Sequence, residues 1–445
     1  MGCRRVNRPT RDNGGRMEGH PVRMEIEDDL ERSRLTVFFR LLLAIPHYVW
    51  LLLWTIAAIV VVVINWFATL IRGQSPQGLH NFLSAYVRYV THLYSYVLLA
   101  ANPYPGFTGD PNSYPIDLEI DPPARQRRWV TAFRIFLALP AFVLASTLVG
   151  SCSGGGGGGS GGPSGEGTAG DIGFYAGSGG VAFTVAFLAW FACLARGRMP
   201  SGFRDLVAYG VRYNAQTIAY LFLVTDRYPN SDPAERTPHP PPPHPIGLEL
   251  GDDGSRSRLT VFFRLLLALP HLVWLGLWSI ALWFATIVNW IVTLFAGRSP
   301  EALHRFASAF VRYDIHVFAF LFLIANPFPG FTGDPGSYPI GVTIEPRARQ
   351  SRWVTGFRLL LAIPALLVSA TLWATLFVVG VLGWFASLAT GRMPLGLRNL
   401  GAFILRYSAQ VNSYAYLVTD RYPYSGPLLH PEEEPQPAVA VAETF

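Results

Sequence analysis

Short segments in which apolar and polar residues alternate recur four times along the chain. In the first, residues 22–26 read VRMEI, so apolar side chains point one way and charged side chains the other. Related segments begin at Tyr114, His244 and Tyr338. A period of two is typical of a strand with one buried face. We predict that these four strands pair into a small sheet or into edge ribbons beneath a helical bundle.

Each alternating segment precedes a long apolar run. The first run, HYVWLLLWTIAAIVVVVINWFATLI, covers residues 47–71 and exceeds the roughly 20 residues that cross a bilayer as a helix. Of the 445 residues, 51% are hydrophobic and only 14% are charged, whereas soluble domains usually carry about 25% charged residues. We therefore expect a mainly α-helical integral membrane protein.

The chain is built from internal repeats, which set its domain organisation. The sequence SRLTVFFRLLLA occurs at Ser33 and at Ser257, and FTGDP occurs at Phe107 and at Phe331. Each half divides again, because RLLLAIP or a close variant opens all four long runs. We predict four units, of types A, B, A and B, at residues 20–113, 114–230, 244–337 and 338–423. A Pro-rich linker at 231–243 joins the halves, and residues 1–19 and 424–445 are predicted to be disordered.

A Gly-rich segment at 151–180 interrupts the long run of the second unit. Alignment with the fourth unit places this insertion between the positions of Ala374 and Thr375, in the middle of an uninterrupted apolar run. A polar backbone without hydrogen-bond partners cannot lie in hydrocarbon. We therefore predict that each long run folds as a transmembrane helical hairpin, with arms at 129–150 and 180–196 in the second unit. Four hairpins give about eight spans.

A second arrangement also gives eight spans. It makes residues 34–45 an interfacial helix, residues 47–71 one span, and the second apolar segment of the unit the other span. In this arrangement the Gly-rich segment cuts the span of the second unit. The hairpin is therefore the preferred prediction.

The placement of charge supports the hairpin. The chain has a net charge of +6, and its 35 basic residues are all Arg. In the hairpin arrangement the Arg residues that flank the long runs fall on one side of the membrane, and the turns carry none. Because basic residues favour the cytoplasmic side, we predict that the basic ends, the strands and the termini are cytoplasmic. The Gly-rich loop at 151–180 is then extracytoplasmic, and anionic headgroups of the cytoplasmic leaflet are the expected partner.

The second apolar segment of every unit carries an Arg-Tyr pair and a polar stripe. In the first unit His80, Ser84, Arg88 and His92 are spaced by four residues, which places them on one face of a helix. We predict an amphipathic helix that lies in the cytoplasmic interface. The stripe either anchors and packs this helix, or it lines a polar pathway between units, since charges at membrane depth tend to be functional. The candidate residues are Arg88, Arg212, Arg312, Arg406, His80, His92, His304 and His316.

No catalytic motif accompanies these residues. The sequence has no Walker A motif, no HExxH and no CxxC, and three Cys are too few for a Cys-based metal site. His47 and His271 occur in the A units, where the B units have Ala141 and Ala365. A metal, haem or proton-relay site built from such histidines is the alternative to a plain interfacial role. We expect no cofactor, no metal and no nucleic-acid partner.

The sequence resembles a known membrane family. The stretches PVRMEIEDDLERSRLTVFFRLLLAIPH from Pro21, GRMPSGFRDLVAYGVRY from Gly197 and LVTDRYP from Leu223 are similar to the bacterial family known as domain of unknown function 4389. That family is found often in actinobacteria and often as tandem copies. The resemblance covers nearly all of residues 20–423. It implies a multi-pass membrane protein and supplies no activity, ligand or catalytic residue. The Gly-rich insertion departs from the family pattern.

Three functions remain open. The absence of motifs and the uncharged short turns favour a non-enzymatic scaffold or accessory protein of the cytoplasmic membrane. Fourfold duplication favours a transporter or channel, since transporters are often built from repeats, although no acidic residue lies within a hairpin arm. The His and Arg cluster favours an enzyme that acts on a lipid substrate. A homo-oligomer or a membrane-protein partner is compatible with each function.

Overall fold

The computed structural model describes residues 20–150, 179–233, 244–251 and 254–427. The predicted N-terminal segment, nearly all of the Gly-rich loop, most of the linker and the end of the tail lie outside these ranges. Within them the chain is mainly helical. In chain order the helices are α1 (Arg34–Arg72), α2 (Gln77–Val97), α3 (Arg128–Ala132), α4 (Arg134–Val149), α5 (Gly180–Arg196), α6 (Ser201–Leu221), α7 (Arg258–Phe262), α8 (Arg264–Ala296), α9 (Glu301–Leu321), α10 (Arg352–Gly356), α11 (Arg358–Thr390) and α12 (Leu395–Ala415).

Two helix classes recur in the four units. We call α1, α4 with α5, α8 and α11 the long helices, because they contain the long apolar runs. We call α2, α6, α9 and α12 the Arg-Tyr helices, because each carries an Arg-Tyr pair. In every unit a long helix is followed by an Arg-Tyr helix.

The alternating segments form strands, as predicted. The strands are β1 (Val22–Ile26), β2 (Ile116–Ile120), β3 (Ile246–Leu250) and β4 (Ile340–Ile344). β1 pairs antiparallel with β2, with Met24 opposite Leu118, and β3 pairs antiparallel with β4, with Leu248 opposite Val342. Each pair is a two-stranded ribbon that joins an A unit to the B unit after it. The prediction of edge ribbons is therefore confirmed.

The predicted hairpins are wrong in the first, third and fourth units. α1 runs for 39 residues without a turn, and α8 and α11 run for 33 residues each. Residues 47–71 contain neither Gly nor Pro, so nothing in this run favours a break. A continuous helix also satisfies the backbone groups of an apolar run internally, which a turn does not. α1, α8 and α11 are long and apolar enough to cross a membrane, judged by length and composition.

The second unit follows the same plan despite its insertion. The end of α4 lies directly against the start of α5. The close approach is shown by Gly150, where an added Cβ atom would lie 2.6 Å from the carbonyl O of Gly179. The indole of Trp190 in α5 donates to the carbonyl O of Val37, as the indole of Trp384 in α11 donates to that of Val261, both at 3.1 Å. α4 and α5 together therefore take the place of one long helix, and the predicted arms meet end to end instead of side by side.

The Arg-Tyr helices are central elements and do not lie on the surface. Among the large apolar side chains of these four helices, Leu395 is well exposed, whereas the others are buried or partly buried. The predicted interfacial amphipathic helix is therefore wrong. The polar stripe faces other parts of the protein, and the remaining faces pack against the long helices and against a neighbouring Arg-Tyr helix.

The elements form three layers. The long helices form the first layer, in the spatial order α1, α4 with α5, α11 and α8. The Arg-Tyr helices form the second layer, with α2 against α6 and α9 against α12, and the ribbons form the third. On α2, Tyr86 contacts Thr55 of α1 at 2.9 Å, while Arg88, on the opposite side of the helix, contacts Leu118 of β2. The Arg-Tyr helices therefore lie between the long helices and the ribbons.

Candidate functional site on the Arg-Tyr helices

In the A units the stripe Arg residues bind the ribbon. Arg88 Nε donates to the carbonyl O of Leu118 at 3.0 Å, and Arg312 Nε donates to that of Val342 at 3.2 Å. A two-stranded ribbon leaves some backbone groups of each strand without a strand partner. Each guanidinium satisfies one of these acceptors and holds the ribbon on the helix.

In the B units the stripe Arg residues bind the chain that follows the helix. Arg212 donates to the carbonyl O of Asp232 at 2.8 Å, and its guanidinium carbon lies 5.3 Å from the ring centre of Tyr209. Arg406 donates to the carbonyl O atoms of Tyr424 and Gly426. These acceptors belong to segments that the sequence assigned to the linker and the tail. The stripe Arg residues therefore hold the ends of each half in place.

His92 and His316 occupy matching positions but have different partners. His92 Nε2 lies 2.8 Å from Oδ1 of Asp117, and both side chains are buried. Burial opposes ionisation of Asp117, but its hydrogen bonds with His92 and with backbone N–H groups outweigh burial and lower the pKa of Asp117. In the second ribbon the position that matches Asp117 holds Gly341, which has no carboxyl group. Burial lowers the pKa of His316 to about 4. This buried contact between a His and an Asp is therefore specific to the first half.

His80 and Arg88 line one polar cleft in the first unit. The cleft has a volume of about 390 Å³, and Ser84 and Asp110 also line it. His80 Nδ1 lies 3.4 Å from Ser84 Oγ, and burial lowers the pKa of His80. Among the described residues no carboxylate lies within ion-pair distance of His80. A Ser-His-carboxylate arrangement is therefore not formed in this part of the chain.

The wall of this cleft depends on the Gly of the FTGDP motif. Gly109 has a φ of +63°, and a Cβ atom there would lie 2.2 Å from the carbonyl O of Ala85 in α2. Gly333 has a φ of +65° and the same relation to Ala309 in α9. Gly is needed at both positions, because a side chain would be strained and would also collide with the helix backbone. The repeated motif therefore marks a close approach between a loop and an Arg-Tyr helix.

Four deeply buried cations on the long helices were missed as functional residues by the sequence analysis. Arg40 lies on α1, is 2% exposed, and donates to the carbonyl O atoms of Tyr96 and Ala101 at 2.7 and 3.0 Å. Its guanidinium carbon lies 4.4 Å from the ring centre of Tyr96. The matching residues of the other long helices are Arg134, Arg264 and Arg358, which make the same kind of contact.

These cations cap the Arg-Tyr helices. The last carbonyl groups of a helix have no partner within the helix and carry partial negative charge. Each guanidinium supplies donors and positive charge at that end. The signal in the sequence was the recurrence of Arg six residues before Pro46, Pro140, Pro270 and Pro364. It marked the basic ends of the runs, but nothing in it showed that the side chains turn inward.

A second polar residue binds each helix end. Every Arg-Tyr helix is followed by a Leu with positive φ, at 99, 223, 323 and 417. In the A units Arg32 and Arg256 donate to the carbonyl O of that Leu at 3.0 and 3.2 Å. In the B units Gln126 and Gln350 do so, both at 2.7 Å. The four units therefore share one capping arrangement and differ in whether the outer cap is charged.

The histidines of the A units join the long helix to the FTGDP loop. His47 Nδ1 lies 2.9 Å from the hydroxyl O of Tyr89, and its ring stacks on Phe107 with centres 4.3 Å apart. His271 makes the same contacts with Tyr313 and Phe331. Within the described residues no group of three or more His, Cys, Asp or Glu side chains is placed to hold a metal ion.

The stripe is thus divided into local contacts. His80 and Arg88 share a cleft, whereas His92 pairs with the ribbon, and the Arg residues of the B units bind chain ends. In the third unit His304 is also buried, and Arg312 binds the second ribbon as Arg88 binds the first. The candidate residues therefore do not act as one continuous stripe, because each of them binds a different part of the protein.

Comparison with known proteins adds a family and no activity. No curated protein and no solved structure matches this chain. The family described as "Domain of unknown function (DUF4389)" matches four times, at residues 34–108, 174–231, 258–332 and 352–425. These matches cover more than half of the chain, and one falls in each of the four repeats. The chain therefore belongs to the DUF4389 family as a protein with four tandem copies of the domain.

Proposed function

We propose that this protein is a non-enzymatic scaffold or accessory protein of the cytoplasmic membrane. The observation that carries the proposal is the use of its recurring polar residues. In all four units the Arg of the long helix and the Arg of the Arg-Tyr helix bind backbone carbonyl groups of the protein itself. Such contacts build a rigid frame and leave these cations engaged.

The division of the stripe supports a scaffold over a transporter. A solute pathway needs polar side chains that can exchange protein contacts for solute contacts along a continuous route. Here Arg212 and Arg406 are 6% and 5% exposed and bind chain ends. The cleft at His80 also lacks a carboxylate partner for His80 within the described residues, which argues against the lipid-directed enzyme as a hydrolase of the Ser-His type.

The proposed location follows the distribution of charge. The ribbons and the exposed Arg residues at the helix ends face the cytoplasm and the anionic headgroups of the inner leaflet. The partner that the scaffold organises is a second copy of this chain or another membrane protein. No nucleic acid and no cofactor enters the proposal.

Reconstitution into liposomes tests the proposal. The purified protein is expected to give no flux of K⁺, H⁺ or carboxyfluorescein above that of protein-free vesicles, and no change in lipid composition by mass spectrometry. The double variant Arg88→Gln with Arg312→Gln is expected to lower the melting temperature and to change the size of the assembly in mild detergent. Flux or lipid turnover by the wild type, lost in a variant that folds and assembles normally, would overturn the scaffold.

A further inference from the structure

The three layers differ in polarity, and this difference bears on how the protein sits in a bilayer. We infer that the long helices lie in the plane of the membrane. Their apolar outer face contacts the acyl chains of one leaflet, and the ribbons lie on the water side. In this arrangement the long helices do not cross the bilayer, although they are long and apolar enough to do so.

The position of the ribbons is the first argument. Arg88 fastens the first ribbon to the middle of α2, and Tyr86, two residues away, contacts Thr55 near the middle of α1. The ribbon therefore lies level with the middle of the long helix. A crossing α1 would place this ribbon at the centre of the hydrocarbon, where open strand edges do not occur in contact with lipid.

The outward side of that ribbon is charged. Arg23 binds Glu119 at 3.1 Å and Asp121 at 2.7 Å, and the three side chains are 37%, 58% and 44% exposed. Charged side chains at the bilayer centre are costly and usually face a protein interior or a water-filled cavity. Exposed ion pairs of this kind fit an aqueous surface. An in-plane orientation of the long helices gives them one.

The length of the long helices is the second argument. At 1.5 Å per residue, 39 residues extend about 58 Å and 33 residues about 50 Å, whereas the hydrocarbon core is about 30 Å thick. Apolar side chains are exposed along the whole of α1, from Leu35 at 71% to Ile71 at 72%. A helix that lies in the plane of the membrane has no such limit on its length and can bury its whole apolar face.

The ends of the long helices carry the third argument. Arg34 and Arg72 are exposed at opposite ends of α1, and Arg352 and Arg392 flank the long helix of the fourth unit. Crossing helices would divide these cations between the two sides of the membrane, against the usual cytoplasmic bias. In-plane helices place both ends at the headgroup level of one leaflet. The charge argument for hairpins is then satisfied by straight helices.

The insertion of the second unit gives a fourth argument. A Gly-rich and Ser-rich segment separates Gly150 from Gly179 in the chain, yet these two residues adjoin at the middle of the composite helix. In a crossing helix this segment would leave the helix at the bilayer centre, where its backbone amides would lack partners. In an in-plane helix the same point lies at interface depth, close to water.

The partner is the acyl-chain region of a lipid leaflet. On α5, Phe183, Phe187 and Phe191 are each more than half exposed and spaced by four, so they form one apolar face. Exposed apolar faces of this extent mark contact with a membrane or a protein. The Arg residues at the helix ends are complementary to anionic headgroups and thereby favour the membrane.

Depth measurements in vesicles of phosphatidylglycerol and phosphatidylethanolamine test this orientation. In a background with Cys3, Cys152 and Cys193 replaced by Ala, a fluorophore is attached at Glu25→Cys on the ribbon or at Ile56→Cys on the outer face of α1. We expect iodide to quench the label at position 25, and lipids with a nitroxide on the acyl chain to quench the label at position 56. Crossing helices place both labels near the bilayer centre, so acyl-chain quenching at both positions overturns the inference.

Sidedness gives an independent check with exposed positions at the two ends of α1. Ser33→Cys and Gln77→Cys are labelled with a membrane-impermeant maleimide in right-side-out and in inside-out vesicles. The in-plane arrangement predicts the same sidedness at both positions. Labelling at opposite sides overturns it. Neither measurement depends on flux or turnover, so a failure of the scaffold proposal remains distinguishable from a failure of this one.

Discussion

The two halves of the molecule have the same fold but differ at the contact between their Arg-Tyr helices. In the first half Val90 and Ile218 pack in one apolar cluster. In the second half the matching positions hold Asp314 and Asn412, whose side chains bond at 3.1 Å. The same backbone therefore tolerates an apolar or a polar pair at its centre. What the halves share, and not this pair, must be responsible for the fold.

At the ribbons the polar pair lies in the first half and not in the second. The first half has the buried pair of His92 with Asp117, whereas in the second half Gly341 occupies the position that matches Asp117. The capping cations of the long helices and the Gly of the FTGDP motif occur in both halves. We infer that caps and close approaches define the frame, and that each half adds one buried polar pair of its own.

The largest effect is expected from the shared caps. Arg40→Met removes the donor to the carbonyl O atoms of Tyr96 and Ala101, and Arg264→Met removes the donor to those of Ala325 and Asn326, just beyond the end of α9. An unpaired buried group costs about 1–3 kcal/mol, so each variant is expected to lose about 4 kcal/mol of unfolding free energy. The measurement is reversible unfolding in detergent. Arg34→Met is the control, because Arg34 is exposed and lies on α1 together with Arg40. This variant should lose less than about 1 kcal/mol of unfolding free energy. If the losses of unfolding free energy in Arg40→Met and Arg264→Met differ clearly, the two halves do not depend on the same cap.

The second effect concerns the polar pair of the second half. Burial raises the pKa of Asp314 to about 7, above its ordinary value of 3.8. Between these two pKa values the folded state binds more protons than the unfolded state. The contribution of Asp314 to the unfolding free energy is therefore fully present below about pH 4 and is lost as the pH rises through 7. Relative to Asp314→Asn, the wild type is expected to lose about 3 kcal/mol of unfolding free energy between pH 5 and pH 8. The comparison is made with this variant because buried histidines with lowered pKa values titrate in the same range.

Asp314→Asn supplies the matched control for that prediction. It keeps the size of the side chain and removes this titrating group, while the buried histidines remain the same in both proteins. Asp314→Val with Asn412→Ile, which copies the first half, should behave in the same way. A difference in unfolding free energy between wild type and Asp314→Asn that stays constant from pH 5 to pH 8 would contradict the role of Asp314.

The third effect tests the close approach of the FTGDP loop. Gly109→Ala and Gly333→Ala each introduce a Cβ atom 2.2 Å from a helix carbonyl at positive φ, and each is expected to cost about 2 kcal/mol. Gly106→Ala and Gly330→Ala are matched controls, because a Cβ atom there meets nothing within 4 Å. Thermal unfolding of the four variants gives the answer, and equal losses in test and control variants would contradict the role of the motif.

The smallest effect should separate the ribbons. Asp117→Gly copies the second half and removes the partner of His92, at an expected cost of about 1.5 kcal/mol near neutral pH. Because the pKa of Asp117 is lowered on folding, its contribution is present above about pH 4 and is lost as the pH falls below its folded pKa. The gap between variant and wild type should therefore narrow in acid. If the difference in unfolding free energy between wild type and Asp117→Gly is constant with pH, the loss comes from the flexibility of Gly and not from the Asp117 carboxylate.

Much of the local structure could be predicted from the sequence. The period of two in VRMEI and its relatives identified the strands, and the repeated motifs identified four units. The polar stripe at Arg88 and His92 was also real, because four-residue spacing places side chains on one face of a helix. These signals depend on neighbouring residues alone, so they are readable before folding.

The candidate site was predicted less well. The spacing of His80, Arg88 and His92 showed a polar face but not its neighbour, and the structure covers that face with a ribbon donated partly by the next unit. Arg40 and its three counterparts were noticed as charges and not as buried caps. The backbone carbonyl groups that they bind lie 56 to 91 residues away in the chain, so no local pattern identifies these partners.

The sequence by itself determined the repeats, the strands, the long apolar runs, the polar stripe and the membership of the DUF4389 family, because each follows from periodicity or from a recurring motif. Only the tertiary structure decided that the long runs are straight helices, that the Arg-Tyr helices are central, and that the polar stripe binds the protein itself. The physical reason is that periodicity specifies which side of an element is polar. Long-range packing alone specifies whether water, lipid or another strand covers that side.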